Sequence, residues 1–296
     1  MSLKYLQLFF CVVFLVQATD VLAHSSVNES SDPTDNLVPI DIVIPGPLDG
    51  NKVRNPFIEG LLRLVFRKEN YRVNIVYHKR SYTQGRALKE LSDGSEIDLN
   101  WSTTSKDREA LLRAIKFPLY RGLIGWRVAL IRPSDQALFS EVKTKQDLQQ
   151  LLAVQRFDWT DYEVFKENQL PIEGNFTFPL LSKAITSGIA DYFPRSVLEV
   201  VTESEHERNK ALVIEESLLF KYKAAYYFFV QKDNEALATI LESGLEKAFV
   251  DGSYQVLFTQ HFGHSLAKLG LDERVVIELS NTSFPVEEHA EKYWLK

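Results

Sequence analysis

Apolar and β-branched side chains dominate residues 39–44 (Pro-Ile-Asp-Ile-Val-Ile), and Pro45-Gly46-Pro47 stops the run, which predicts a strand. Asn55-Pro56 then supplies a cap and a first-turn proline. Phe57, Leu61 and Val65 recur at helical spacing, with Arg63, Arg67 and Lys68 on the remaining surface. Residues 73–77 read as a second strand, 85–91 as a short helix ending near Gly94, and 97–101 as a third strand. Strands separated by helices favour parallel βαβ units wound into one sheet.

The alternation then starts again. Residues 127–131 form an apolar strand that crosses to a second lobe. Helices are expected from Thr144, as cap, to Leu152, over 159–168, and over 179–187 with Gly188 in the C′ place. Residues 190–193 and 211–214 read as strands, and 224–230 as an apolar strand returning to the first lobe. Asp233 is expected to cap a long amphipathic helix whose inner face is Leu237, Ile240, Leu241, Leu245 and Phe249. The expected fold class is α/β: two doubly wound lobes joined by hinge strands. Lobe 1 takes residues 38–130 with 228–275, lobe 2 takes 131–227, and 276–296 is a C-terminal extension.

The ends of the chain change the picture of its compartment. Lys4 gives a basic start, residues 6–16 are apolar apart from Gln7, and Val21-Leu22-Ala23 has the side chains a signal peptidase reads. The apolar run is short against about 30 Å of hydrocarbon. Residues 1–23 are therefore expected to be a removed signal peptide, with an uncleaved anchor as the alternative, and 24–37 a flexible polar leader. That places the protein in the periplasm as a soluble monomer. Cys11, the single cysteine, lies inside the expected signal peptide, so the mature chain is expected to lack disulfides and thiol chemistry. About 270 residues remain, near the practical limit of one core, which again favours two lobes. The net charge of −6 has both signs interspersed, and no basic stripe suits nucleic acid or an anionic membrane.

Three motifs stand in register along the chain. They are Ser102-Thr103-Thr104-Ser105-Lys106-Asp107-Arg108 before Phe117-Pro118-Leu119-Tyr120, then Ser187-Gly188-Ile189-Ala190-Asp191, then Asp251-Gly252-Ser253-Tyr254 with His261-Phe262-Gly263. With these the chain resembles the family 3 extracellular solute-binding proteins over roughly residues 38–265. That group includes polar-amino-acid receptors of ABC importers. The resemblance implies a type II periplasmic-binding-protein architecture and a ligand in the cleft between lobes. Two departures matter. The aromatic-proline stretch is shortened, and Ser196 stands where amino-acid receptors carry the aspartate that holds an ammonium.

Arg108 is the leading candidate for a ligand contact, because a guanidinium at a helix start beside Ser102 and Thr103 can take a carboxylate through paired hydrogen bonds. A surface pairing with Asp107 or Glu109 is the alternative. Trp101 and Tyr120 flank this turn as aromatic walls or as core. In lobe 2, Trp159 and Thr160 open a helix, and either Thr160 or Asp161 is expected to cap it. Tyr192, Arg195 and Ser196 fall at a strand end. Arg195 reads as a second cleft cation or as a partner for Glu199 one turn on. Asp98 and Asp191 are expected to cap backbone. The histidines, His78, His206, His261, His264 and His289 among them, show no ligand spacing, and no nucleophile elbow or phosphate loop occurs. The expected function is binding without catalysis, metal or cofactor. A small, polar, carboxylate-bearing metabolite is presented to an ABC permease, or alternatively to a membrane sensor, with an enzyme on the same fold the least favoured reading. With Ser196 in place of an aspartate and Arg195 beside it, ligands without a free amine are expected.

Overall fold

The first βαβ unit forms as its side chains require. In the computed structural model, which describes residues 36–46, 55–285 and 291–295, β1 (Val38–Gly46) lies parallel to β2 (Tyr71–Ser81), with α1 (Pro56–Lys68) as the crossover. The Asn55 side chain accepts from Ile58 N at 3.1 Å, Pro56 fills the first turn, and Arg67 and Lys68 complement the dipole at the far end. The helix buries Phe57, Ile58, Leu61, Leu62, Val65 and Phe66. After α2 (Gln84–Ser92), Asp98 N donates to Val43 O at 2.9 Å and the Asp98 carboxylate accepts from Val43 N at 2.7 Å. That exchange docks the chain on β1 and aims β3 (Asn100–Thr103) toward α3 (Lys106–Leu111) and β4 (Arg113–Ile115).

Lobe 2 has a seven-stranded sheet built the same way. It holds β5 (Trp126–Ile131), α4 (Gln136–Ser140), β6 (Ala153–Val154), α5 (Thr160–Glu167), β7 (Ile172–Glu173), α6 (Phe178–Thr186) and β8 (Tyr192–Ser196). α7 (Val200–Ser204), β9 (Val213–Ile214) and β10 (Leu218–Lys221) follow, and a strand from the end of the chain supplies the seventh. β6 runs parallel to β7 and β8, and β5 runs antiparallel to β8 and β10. Gly188 has φ 72° just past α6, the left-handed turn expected there. Asp191 repeats the Asp98 device: its N–H donates to Leu152 O and its carboxylate accepts from Leu152 N, both at 2.8 Å. Both aspartates therefore cap backbone as expected.

β11 (Tyr226–Val230) returns to lobe 1 and lies antiparallel between β3 and β4. Two long helices, α8 (Glu235–Val250) and α9 (Ser253–Ala267), then cover that lobe. One apolar cluster joins α1, α8 and the hinge region, and extends to Phe193 and Val200 of lobe 2. A second fills lobe 2 around Phe139, Phe165, Tyr192 and Phe220.

Two local expectations change. The helix from Thr144 shrinks to a 3₁₀ turn, Asp147–Gln150: Thr144 and Asp147 cap each other, Asp147 N donating to Thr144 Oγ1 at 3.4 Å and the Asp147 carboxylate accepting from Thr144 N at 2.8 Å, but Leu151 is already extended (φ −116°, ψ 133°) and ends it. Asn234, not Asp233, caps α8, accepting from Leu237 N at 3.1 Å. The chain beyond residue 275 also has structure. β12 (Val275–Glu278) extends the lobe 2 sheet parallel to β10. Ser280 and Asn168 then exchange hydrogen bonds at 3.0 and 2.8 Å, while Lys106 N donates to Ser283 O at 3.3 Å. The tail thus passes from the end of α5 to the start of α3. Phe284 and Trp294 join the apolar cluster under β11. Trp294 lies so close to Gly122, whose φ is 80°, that a Cβ there would be 2.1 Å from the ring. Among the described residues no helix is long and apolar enough to cross a membrane. The signal-peptide reading lies outside the described residues, as does the leader up to residue 35.

Candidate functional site

The carboxyl end of β3 in lobe 1 and the start of α5 in lobe 2 bring Ser102, Thr103, Arg108 and Thr160 together where the lobes meet, the place where open α/β sheets hold ligands. On the lobe 1 side, β3 ends in Ser102 and Thr103, and Ser105 caps α3 by accepting from Arg108 N at 3.3 Å. This turn folds the Arg108 side chain back over the strand end. Its Nη1 donates to Ser102 Oγ at 2.6 Å, Thr103 O at 2.5 Å and Thr103 Oγ1 at 2.7 Å, and its Nη2 reaches Gln84 Oε1 at 3.4 Å. These acceptors are all neutral. Among the described residues no carboxylate pairs with Arg108, so the Asp107 and Glu109 alternative does not hold; Glu109 instead pairs with Lys116 and Thr104. Burial pulls the Arg108 pKa below its ordinary value, with Tyr226 acting against that shift.

The lobes touch through hydroxyls. Thr103 Oγ1 and Thr160 Oγ1 share a hydrogen bond of 2.9 Å, so a continuous polar chain runs from Arg108 through Thr103 to the first residue of α5. Neither Thr160 nor Asp161 caps that helix, whose N-cap residue is Trp159 with no side-chain bond. Asp161 instead faces inward. It accepts from Arg127 Nη2 at 2.9 Å, Tyr222 Oη at 2.5 Å and Gln155 Nε2 at 3.2 Å. Burial disfavours the charge on Arg127, and Asp161 more than restores it, raising the guanidinium above its ordinary value.

The other candidates divide. Tyr120 is buried with its hydroxyl accepting from Asn55 Nδ2 at 3.1 Å, and its ring meets Tyr226 edge-on at 5.5 Å. Trp101 is buried in the lobe 1 core. Arg195 is turned into lobe 2, where Nη2 reaches Glu199 Oε2 at 3.0 Å, Nε reaches Glu203 Oε2 at 2.5 Å, and its plane lies 5.1 Å over Trp159. Its pairing with Glu199 is the second of the two readings above, with Glu203 added. Ser196 is fully buried in β8 and its hydroxyl accepts from Leu198 N at 3.3 Å. Tyr192 is the furthest from expectation. It lies inside the lobe 2 core, stacked on Phe220 at 5.8 Å, because its strand position alternates inward, and its hydroxyl has no partner.

Sequence reasoning missed Arg127, Gln84, Gln155 and Tyr226, and named Glu199 only as a partner for Arg195. Among the missed residues only Arg127 carried a signal, as a lone charge in the apolar strand Trp126–Ile131. Among the described residues no group of histidine, cysteine and acidic side chains is placed to hold a metal ion.

Two lobes of this topology match many solved structures. An ancestral arginine-binding protein bound to arginine superposes with a TM-score of 0.56 at 16% identity, over 77% of this chain and 100% of that one. The fold is that of the periplasmic binding proteins. A Salmonella typhimurium periplasmic binding protein of high arginine specificity gives 0.54 at 13% identity, over 76% and 99%. An ancestral amino-acid-binding protein described as a precursor of cyclohexadienyl dehydratase gives 0.55 at 15%, over 75% and 95%. No family model and no curated protein matches the chain. The periplasmic-binding-protein fold inferred from three degenerate motifs is therefore borne out by shape, at identities too low to carry ligand or activity across.

Proposed function

We propose that the protein is a periplasmic solute-binding protein that closes its two lobes over a small, polar, carboxylate-bearing ligand and presents it to an ABC importer. The observation that carries this reading is the state of Arg108: a guanidinium at the lobe junction that donates only to neutral oxygens. A carboxylate is the better acceptor, and charge-assisted bonds are roughly twice as strong as neutral ones. Arg108, Ser102 and Thr103 would hold it from lobe 1. Thr160 would reach it from lobe 2, the ligand replacing the direct Thr103–Thr160 contact, and Trp159 would wall the cleft. Closure then follows ligand binding because each lobe supplies only part of the polar contacts. The likeness to periplasmic binding proteins supports the solute-binding class.

A thermal-shift screen against carboxylic acids and amino acids tests it, since a ligand at 100 times its Kd adds about 2.7 kcal/mol. Arg108→Ala is expected to fold and to weaken the best hit by about 10–150-fold, the worth of about 1.5–3 kcal/mol for a charged hydrogen bond. Wild-type affinity in that variant would remove Arg108 from the site and this reading with it.

A further inference from the structure

The tail beyond residue 275 is anchored in both lobes. Its first part belongs to lobe 2, where β12 pairs with β10 and both Ile277 and Leu279 enter the apolar cluster around Phe165 and Phe220. Its next anchor belongs to lobe 1, where Phe284 is buried with Leu88, Leu91 and Leu112 and meets Trp294 edge-on at 5.8 Å. Five residues lead from Leu279 to Phe284, so even a fully extended chain lets these anchors part by no more than about 18 Å.

Between the anchors the tail is gripped from both sides. Asn168, at the end of α5, exchanges two hydrogen bonds with Ser280. At Thr282 the lobes meet on one residue. Its N–H and its hydroxyl each donate to Glu167 Oε2 at 3.1 Å, and its carbonyl accepts from Lys106 Nζ at 3.1 Å. Lys106 N, in the first turn of α3, donates to the next carbonyl, Ser283 O. Donor groups of the tail thus face a lobe 2 carboxylate and its acceptors face a lobe 1 ammonium, the pairing in which both charges strengthen the bonds. The first turn of α5 already touches lobe 1 through Thr160 and Thr103. Glu167, through the tail, ties down the last turn. The two points lie seven residues apart, about 10 Å along a helix. Any parting of the lobes other than a turn about α5 itself breaks one of these attachments.

We propose that residues 280–284 form a latch between the lobes, with Thr282 as its clasp on Glu167 and Lys106. The cleft opens when Thr282 lets go of one of them, and the stretch from Leu279 to Phe284 then limits how far. The tail thereby sets the balance of open and closed forms, and with it how fast the cleft exchanges its contents. The latch goes beyond the binding reading: it rests on the lobes and the tail, and on no ligand class or contact of Arg108.

Electron-spin distance measurement tests it. Nitroxide labels at Lys183→Cys in α6 and Gln260→Cys in α9, both exposed positions, report lobe separation in a full-length chain carrying Cys11→Ser. The labelled protein is unfolded in urea and refolded by dialysis, so that bound small molecules do not hold the lobes. Lys106→Ala/Glu167→Ala cuts the clasp at two exposed side chains and leaves the apolar anchors in place. The closed-to-open ratio is expected to fall at least about 3-fold in that variant, the bonds being charge-assisted but exposed. Phe284→Ser frees the lobe 1 anchor and is expected to add longer distances still; if it fails to fold, the clasp variant decides alone. The tail also follows the returning crossing, with Leu279 N donating to Lys221 O and Asn281 Nδ2 to Lys223 O. A clasp variant whose distances match the parent, or shorten, overturns the latch and makes the tail a passive third hinge strand that bends with that crossing. Such a result leaves the Arg108 reading where it stands.

Discussion

Replacing Asp161 by alanine should leave a buried guanidinium without its counter-ion. Arg127 and Asp161 meet at 2.9 Å with side chains only 5% and 7% exposed. The same carboxylate accepts from Tyr222 and from Gln155. Asp161→Ala strands a buried guanidinium and removes the acceptor of two further buried donors. A buried pair broken from one side costs about 3–5 kcal/mol. Two orphaned donors could add about 1–3 kcal/mol each, though water entering the vacated space will recover part of that. The expected loss is therefore at least about 3 kcal/mol, a large share of the roughly 5–15 kcal/mol that holds a typical domain. Equilibrium urea unfolding, followed by the fluorescence of Trp126 and Trp159, reads it directly. The double variant Arg127→Met/Asp161→Leu separates pairing from packing. With both charges gone the desolvation cost of the ions disappears as well, while the Tyr222 and Gln155 donors stay without their acceptor, so the double variant should recover at least about 1 kcal/mol of the loss. A loss below about 1 kcal/mol in the single variant, or a double variant as unstable as the single, would refute the argument.

Two further outcomes follow from other groups. Tyr192→Phe removes a hydroxyl that is buried with no partner, so the change should be neutral or stabilising by up to about 1–3 kcal/mol in the same unfolding assay. Acid should destabilise the fold in a defined window. Burial pushes the Glu203 carboxyl up, but Arg195 outweighs it and holds the group below 4.5; hydrogen bonds from Lys68 and Ser253 hold Asp251 at about 2 against 3.8. Depressed carboxyls stabilise fully above their unfolded values and lose that contribution as pH falls through the folded ones. Stability measured by urea unfolding should thus decline below pH 4.5, and Asp251→Asn should lack the part between 3.8 and about 2.

Local pattern carried the framework well. Alternating β-branched strands, the Asn55-Pro56 helix start and the Gly188 stop depend on neighbours within a few residues, and each holds in the structure. What depends on distant partners did not show. β10 and β12 are four-residue strands whose partners lie more than 50 residues away, and only pairing with each other and with β5 makes them strands. Thr144 and Asp147 do make the reciprocal cap of a helix start, yet only one 3₁₀ turn follows before Leu151 goes extended.

The same distinction explains the site. Arg108 was legible because its acceptors, Ser102 and Thr103, lie within six residues on one turn. Arg195 was ambiguous because one partner is four residues away and the other, Glu203, is eight residues on, across a strand-to-helix turn. That second carboxylate changes the meaning of the first. With Glu203 holding Arg195 through both its oxygens and Glu199 adding a third contact, the guanidinium is tied into lobe 2 by two carboxylates, and no rule that looks only one turn ahead could count the second of them.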